Sequence, residues 1–250
     1  MHQRAQTYSE LHPTPVCATI DKLASRIGER FPGSGLSKVA AELGRVAEEN
    51  QLVVERLQRP LWWIRALAVL VIALVLGLIV WGVLHLARIS EGGTVSVPEI
   101  LQAIDATVNE LIFLTLGMLS LVSLEIRLKR RTALRMLHRL RSIAHVVDMH
   151  QLTKDPDHML RDVGVTASSP ERVLTRAQLA RYLDYCSELF ALTSKLAALH
   201  AQHLQDPVVL GAVNEIESLT ADLSRKVWQK ITILDMGDEQ SRYGVGKPGA

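Results

Sequence analysis

Two stretches of the chain lack the alternation that a water-facing helix needs. From 66 to 84, 19 consecutive residues carry neither a charge nor a strongly polar group. At 1.5 Å per residue such a helix spans about 28 Å, close to the hydrocarbon thickness of a bilayer. Trp62 and Trp63 stand at one end and Trp81 near the other, where an indole ring is buried while its N–H stays wet. The second stretch, 111–124, is shorter and is bracketed by Glu110 and Glu125. Its 14 residues cover only about 21 Å. Extension into 106–108 and 126–128 gives adequate length, and a hairpin with the first stretch spares it exposure on the far side. The expected spans are 61–87 and 106–128. The two glutamates lie about 60° apart around a helix. They fall near the interfaces, with a polar intramembrane pathway as the alternative for Glu110. Ala73 with Gly77, and Gly117 with Ser120, are the small residues that allow close approach between spans or between protomers.

Outside these stretches the pattern becomes amphipathic. Pro13 and Pro15 end a polar tail, and a helix is expected from 18 to 30. A Phe31-Pro32-Gly33-Ser34-Gly35 turn follows. A second helix, 36–58, puts Val39, Leu43, Val46, Val53 and Leu57 on one face. Pro60 then opens the first span. After the membrane a helix runs from 127 to 150 with Leu137, Leu140, Ala144 and Val147 as its stripe. The segment 153–169 reads as a loop, with a short helical turn near 158–163. Thr175 and Gln178 form a capping box. Leu179, Leu183, Cys186, Phe190, Thr193, Ala197, His200 and Leu204 then repeat at spacings of four and three. Asp206-Pro207 starts another helix, where Val209, Val213, Ile216, Thr220, Leu223 and Val227 repeat the pattern. So short a connection makes the two helices antiparallel neighbours. The expected register sets His200 near Ala212, Thr193 near 219–220 and Phe190 near Leu223.

The fold class is therefore all-α. A two-helix transmembrane hairpin carries a cytoplasmic helical bundle that ends in an antiparallel heptad-type hairpin. The domains expected are N-terminal helices over 1–60, the membrane hairpin over 61–128, a helical domain over 129–234 and a disordered polar tail over 235–250. The αα-hairpin has more apolar surface than two helices can bury alone. It calls for the other helices or a second protomer.

Charge fixes the orientation. Basic residues gather before the first span and in Arg127, Lys129, Arg130, Arg131, Arg135, Arg139 and Arg141 after the second, whereas the connecting 85–107 holds only Arg88. The positive-inside rule puts both termini in the cytoplasm of a multi-pass inner (plasma) membrane protein. Arg127, Lys129, Arg130 and Arg131 form a cluster suited to anionic lipid. Net charge is only +2, and no basic face interleaved with aromatics appears, so nucleic acid is not an expected partner. Apolar residues make up 48% and aromatics 4%, which favours helices over strands. No short apolar core marks a cleavable leader in the first 60 residues. Cys17 and Cys186 match no disulfide or metal spacing.

Chemistry is sparse. His138, Arg141, His145 and Asp148 share a helix face, with His150 and His158 close by. A metal set drawn from them fails on geometry, because His145 and His150 lie about 140° apart around a straight helix. They read as a polar interaction surface. His200 at the seam reads as a core histidine with Glu215 as partner. P-loop, dinucleotide, nucleophile-elbow and Cys-x-x-Cys motifs are absent. No enzyme and no cofactor is expected. The expected role is a membrane-anchored helical scaffold or regulator that binds lipid, itself or another helical protein. The alternative is an oligomeric pore lined by Glu110, Thr115 or Ser120, and an enzyme or metal site near 138–158 ranks third.

Overall fold

A computed structural model describes residues 10–90, 97–154, 156 and 174–243. The described residues are helical with no strands: α1 (Pro13–Arg30), α2 (Gly35–Gln58), α3 (Trp62–Ser90), α4 (Val97–Leu152), α5 (Arg176–His203) and α6 (Pro207–Tyr243). They fall into two compact units, one made of the described residues up to 58 and from 132 onward, the other of those between 59 and 131.

Local chemistry explains the helix ends. α1 starts at Pro13, earlier than the pattern implies. The first turn of a helix leaves its N–H groups unpaired, so a residue without one fits there. α1 stops where Phe31 N–H donates to Ile27 O at 2.8 Å, and Gly33 turns the chain at φ 69°, a backbone conformation that glycine takes without strain. Ser34 Oγ accepts from Ser37 N at 3.1 Å and so caps α2. Thr175 and Gln178 form both bonds of the expected capping box at the start of α5. At α6, Asp206 Oδ1 accepts from Val208 N at 3.0 Å and Val209 N at 3.3 Å.

The first unit has one hydrophobic core. α1 gives it Val16, Ile20, Leu23 and Ile27, spaced for a single stripe. α2, the distal part of α4, α5 and α6 supply the rest, including every member of the expected stripe Leu137, Leu140, Ala144 and Val147. α5 departs from the single seam. Tyr182, Tyr185, Leu189, Leu192, Leu196 and Leu199 are buried as well as the first series. It packs against α1, α2 and α6, so helices cover it on more than one side. The apolar surface of α5 is thus covered by helices of its own chain. α6 also continues to Tyr243, past Asp235, where the pattern implies that the disordered tail begins. The residues 235–243 contain one glycine and no proline, so nothing there stops a helix already nucleated.

In the second unit α3 and α4 contain two spans long and apolar enough to cross a membrane, with 6% and 0% of their most apolar stretches buried. Leu70, Leu74, Val80, Phe113 and Leu119 are all exposed. Such surfaces are costly in water and cost nothing in hydrocarbon. Gly77 and Gly117 do not mark a contact between the two helices. A Cβ placed on either meets nothing within 4 Å.

Candidate functional site

The polar face of α4 does not converge on a point. His138, Arg141 and His145 are exposed, and Asp148 and His150 are half-buried. Arg141 Nη1 donates to Glu215 Oε2 of α6 at 3.0 Å. Both side chains are largely solvated, so this ion pair contributes little. Asp148 Oδ1 accepts from Gln151 Nε2 at 2.7 Å. Gln151, itself buried, accepts from Lys230 Nζ of α6 through Oε1 at 2.9 Å and through its carbonyl at 3.1 Å. Asp148 therefore belongs to a polar link between α4 and α6.

His150, set off from that face around the helix, lies on α2. Its ring packs so close to Gly35 that a Cβ there would stand 2.2 Å from Cε1. The imidazole lines two small cavities. One, about 280 Å³, includes Phe31, Ser34, Lys154 and Tyr182. The other, about 340 Å³, includes Lys38, Glu42 and Val146. His158, the remaining member of the expected surface, and the loop around it lie outside the described residues. Among the described residues no three His, Cys, Asp or Glu side chains are placed to hold a metal ion.

The deepest polar contact joins α2 to α5. Asn50 and His200 are both fully buried. His200 Nε2 lies 2.7 Å from Asn50 Oδ1, and Asn50 Nδ2 donates to Leu196 O at 3.3 Å. The amide orientation makes Nε2 the protonated nitrogen. Nδ1 is left buried without a partner. Burial, followed by the nearby His203, pushes the His200 pKa down to about 4. His200 is therefore a hydrogen-bonded core histidine, but its partner is Asn50 and not Glu215. Glu215 is exposed on α6 and pairs with Arg141. Asn50 is the residue that pattern reading missed. The signal was its place in the buried series Leu43, Ala47, Asn50, Val54 and Leu57.

The remaining core groups are quiet. Burial pushes the Cys186 thiol up to about 12 and raises the Tyr182 hydroxyl. Burial, then Asp21 and Glu48, raises Cys17. Both thiols are free and neutral at pH 7. Thr193 and Thr220 donate to carbonyls of their own helices at 2.8 Å. On the surface, hydrogen bonds from Arg45 to Glu42, and from Arg139 to Glu49, hold those carboxyls below the usual range.

In the second unit Glu125 has a defined task. Its Oε1 accepts from Leu61 N at 3.3 Å, just ahead of α3, and pairs with Lys129 Nζ at 3.1 Å. Glu110 is half-buried, and Thr115 Oγ1 donates to Leu111 O of its own helix at 2.8 Å. Arg127 and Arg131 are exposed, and Lys129 and Arg130 are half-buried. Comparison with protein-family models, curated proteins and solved structures returns no match to this chain.

Proposed function

We propose that the chain is a membrane-anchored helical scaffold or regulator. In this reading α3 and the apolar part of α4 form a transmembrane hairpin in the inner (plasma) membrane. Both termini lie in the cytoplasm with an antiparallel α5–α6 hairpin in the bundle, and the bundle works by binding another helical protein or a second copy of itself. The observation that carries this is the division of surfaces. The first unit buries a hydrophobic core within one chain, while the second exposes apolar side chains along both helices. The core titratable groups are neutral or paired, which favours binding over catalysis. The exposed His138, Arg141 and His145 are the side chains we assign to partner contact.

Crosslinking in intact membranes, followed by mass spectrometry, tests this. A discrete partner or homo-oligomer is expected, with crosslinks to α4 near these residues. A chain recovered as an uncrosslinked monomer, or recovered without detergent from the soluble fraction, refutes it. Reporter fusions to the two ends test orientation, and cysteine pairs at Phe190 and Leu223 test the hairpin register.

A further inference from the structure

We infer that the end of the membrane unit marked by Trp62 and Glu125 is a collar that selects anionic phospholipids. This rests on the reading that α3 and α4 cross a bilayer. The bond from Leu61 N to Glu125 Oε1 sets the start of α3 level with residue 125 of α4. Two basic stretches distant in sequence therefore meet at one depth. Residues 59–65 bring Arg59 and Arg65, and 125–131 bring Arg127, Lys129, Arg130 and Arg131, against one acid, Glu125. Lys129 pairs with that acid. Arg59, Arg65, Arg127 and Arg131 are exposed.

Their directions identify the ligand. Arg127 follows Glu125 by two residues, about 200° around the helix. Arg131 lies one turn further on the same side. Both thus stand away from the face that meets Leu61. Guanidinium groups that diverge cannot enclose one soluble anion. They suit a sheet of headgroups around the helices. Trp62 and Trp63 are exposed at the same level, and the exposed aliphatic surface begins at Leu67 on one helix and Ile126 on the other. Indole and guanidinium together mark the depth of the lipid phosphates. Zwitterionic lipid also carries phosphate, but a net positive collar favours headgroups of net negative charge, and salt weakens that preference.

The test uses the full chain in nanodiscs of equal phosphatidylcholine and phosphatidylglycerol, with bound lipids counted by native mass spectrometry. Phosphatidylglycerol is expected to exceed phosphatidylcholine about fivefold. The preference should shrink with added sodium chloride and fall toward parity in R59Q/R65Q/R127Q/R131Q. It should persist in R181Q/R225Q, which removes two exposed arginines of the first unit. Equal lipid counts on the unsubstituted chain overturn the inference, as does an unchanged preference in the fourfold variant. Should that variant not insert, the salt series on the unsubstituted chain decides. Loss of the preference on adding inorganic phosphate at constant ionic strength also overturns it, in favour of a soluble anion. Vesicle flotation separates the two levels. A chain that floats without lipid preference sinks this inference alone, and one that does not float sinks the spanning reading beneath it.

Discussion

Asn50→Ala is the sharpest probe of how the first unit holds α2 against α5. Asn50 Oδ1 is the acceptor for His200 Nε2–H, and both side chains are fully buried. Removing it orphans a buried donor, which costs about 1–3 kcal/mol. A change of tautomer brings no relief, because Nδ1 also has no partner. The missing carboxamide leaves a small void that adds about 1 kcal/mol. The sum is about 3 kcal/mol, or roughly a hundredfold in the opening equilibrium. Native-state hydrogen exchange on the full chain in nanodiscs reads this directly. Amides of α2 and α5 should lose protection by about two orders of magnitude, while those of α3 should not change. Asn50→Leu combined with His200→Leu removes both polar partners and should regain most of the loss. The reasoning fails if Asn50→Ala changes protection less than about threefold. It fails equally if the substitution costs as much in a His200→Leu background as alone, since the two residues would then be uncoupled.

Three further outcomes follow from the same geometry. His200 has a folded pKa of about 4 against an ordinary 6.5, so between those values the unfolded chain binds more protons and stability falls as pH falls. The unsubstituted chain should lose up to about 3 kcal/mol more than His200→Gln between pH 6.5 and 4 in denaturation series, and parallel curves would refute the assignment. Gly35→Ala should destabilise by about 1–2 kcal/mol because its Cβ meets the His150 ring. With His150→Ala added it should become neutral or stabilising, since alanine suits a helix better than glycine, and a cost that persists would show that the ring is not the obstacle. Glu125→Ala should speed exchange of the Leu61 amide about tenfold while Glu125→Gln, which keeps an acceptor, should change it less; equal rates in both variants would remove the clasp.

Much of the architecture was legible because its determinants are local. The caps at Thr175 and Asp206 need only neighbouring residues, and the buried stripes of α4 and α6 follow one helical period. What escaped was non-local. Tyr182, Tyr185, Leu189, Leu192, Leu196 and Leu199 form a second series on α5. Spacing displays it, but only the packing of α1, α2 and α6 explains why two series are buried. The partner of His200 lies 150 positions away. Pairing it with Glu215 relied on proximity along the chain, which says nothing about which face of α2 turns inward. The histidine–aspartate cluster shows a related limit. Shared periodicity puts His138, Arg141, His145 and Asp148 on one face, yet it does not show that Asp148 turns to Gln151.

The covered core changes what association has to accomplish. Had the apolar faces of α5 and α6 been left open, a second copy would have been needed merely to bury them, and folding would have depended on concentration. Here α1, α2 and α4 join α5 and α6 in one core. A partner of the first unit then meets a surface of charged side chains with a few exposed apolar ones among them, such as Leu52 and Trp228. Contacts of that kind are steered by complementary charge and weaken with salt. On the proposed reading they suit a regulator that binds and releases, and an oligomer built on them should dissociate in high salt with its helices still folded.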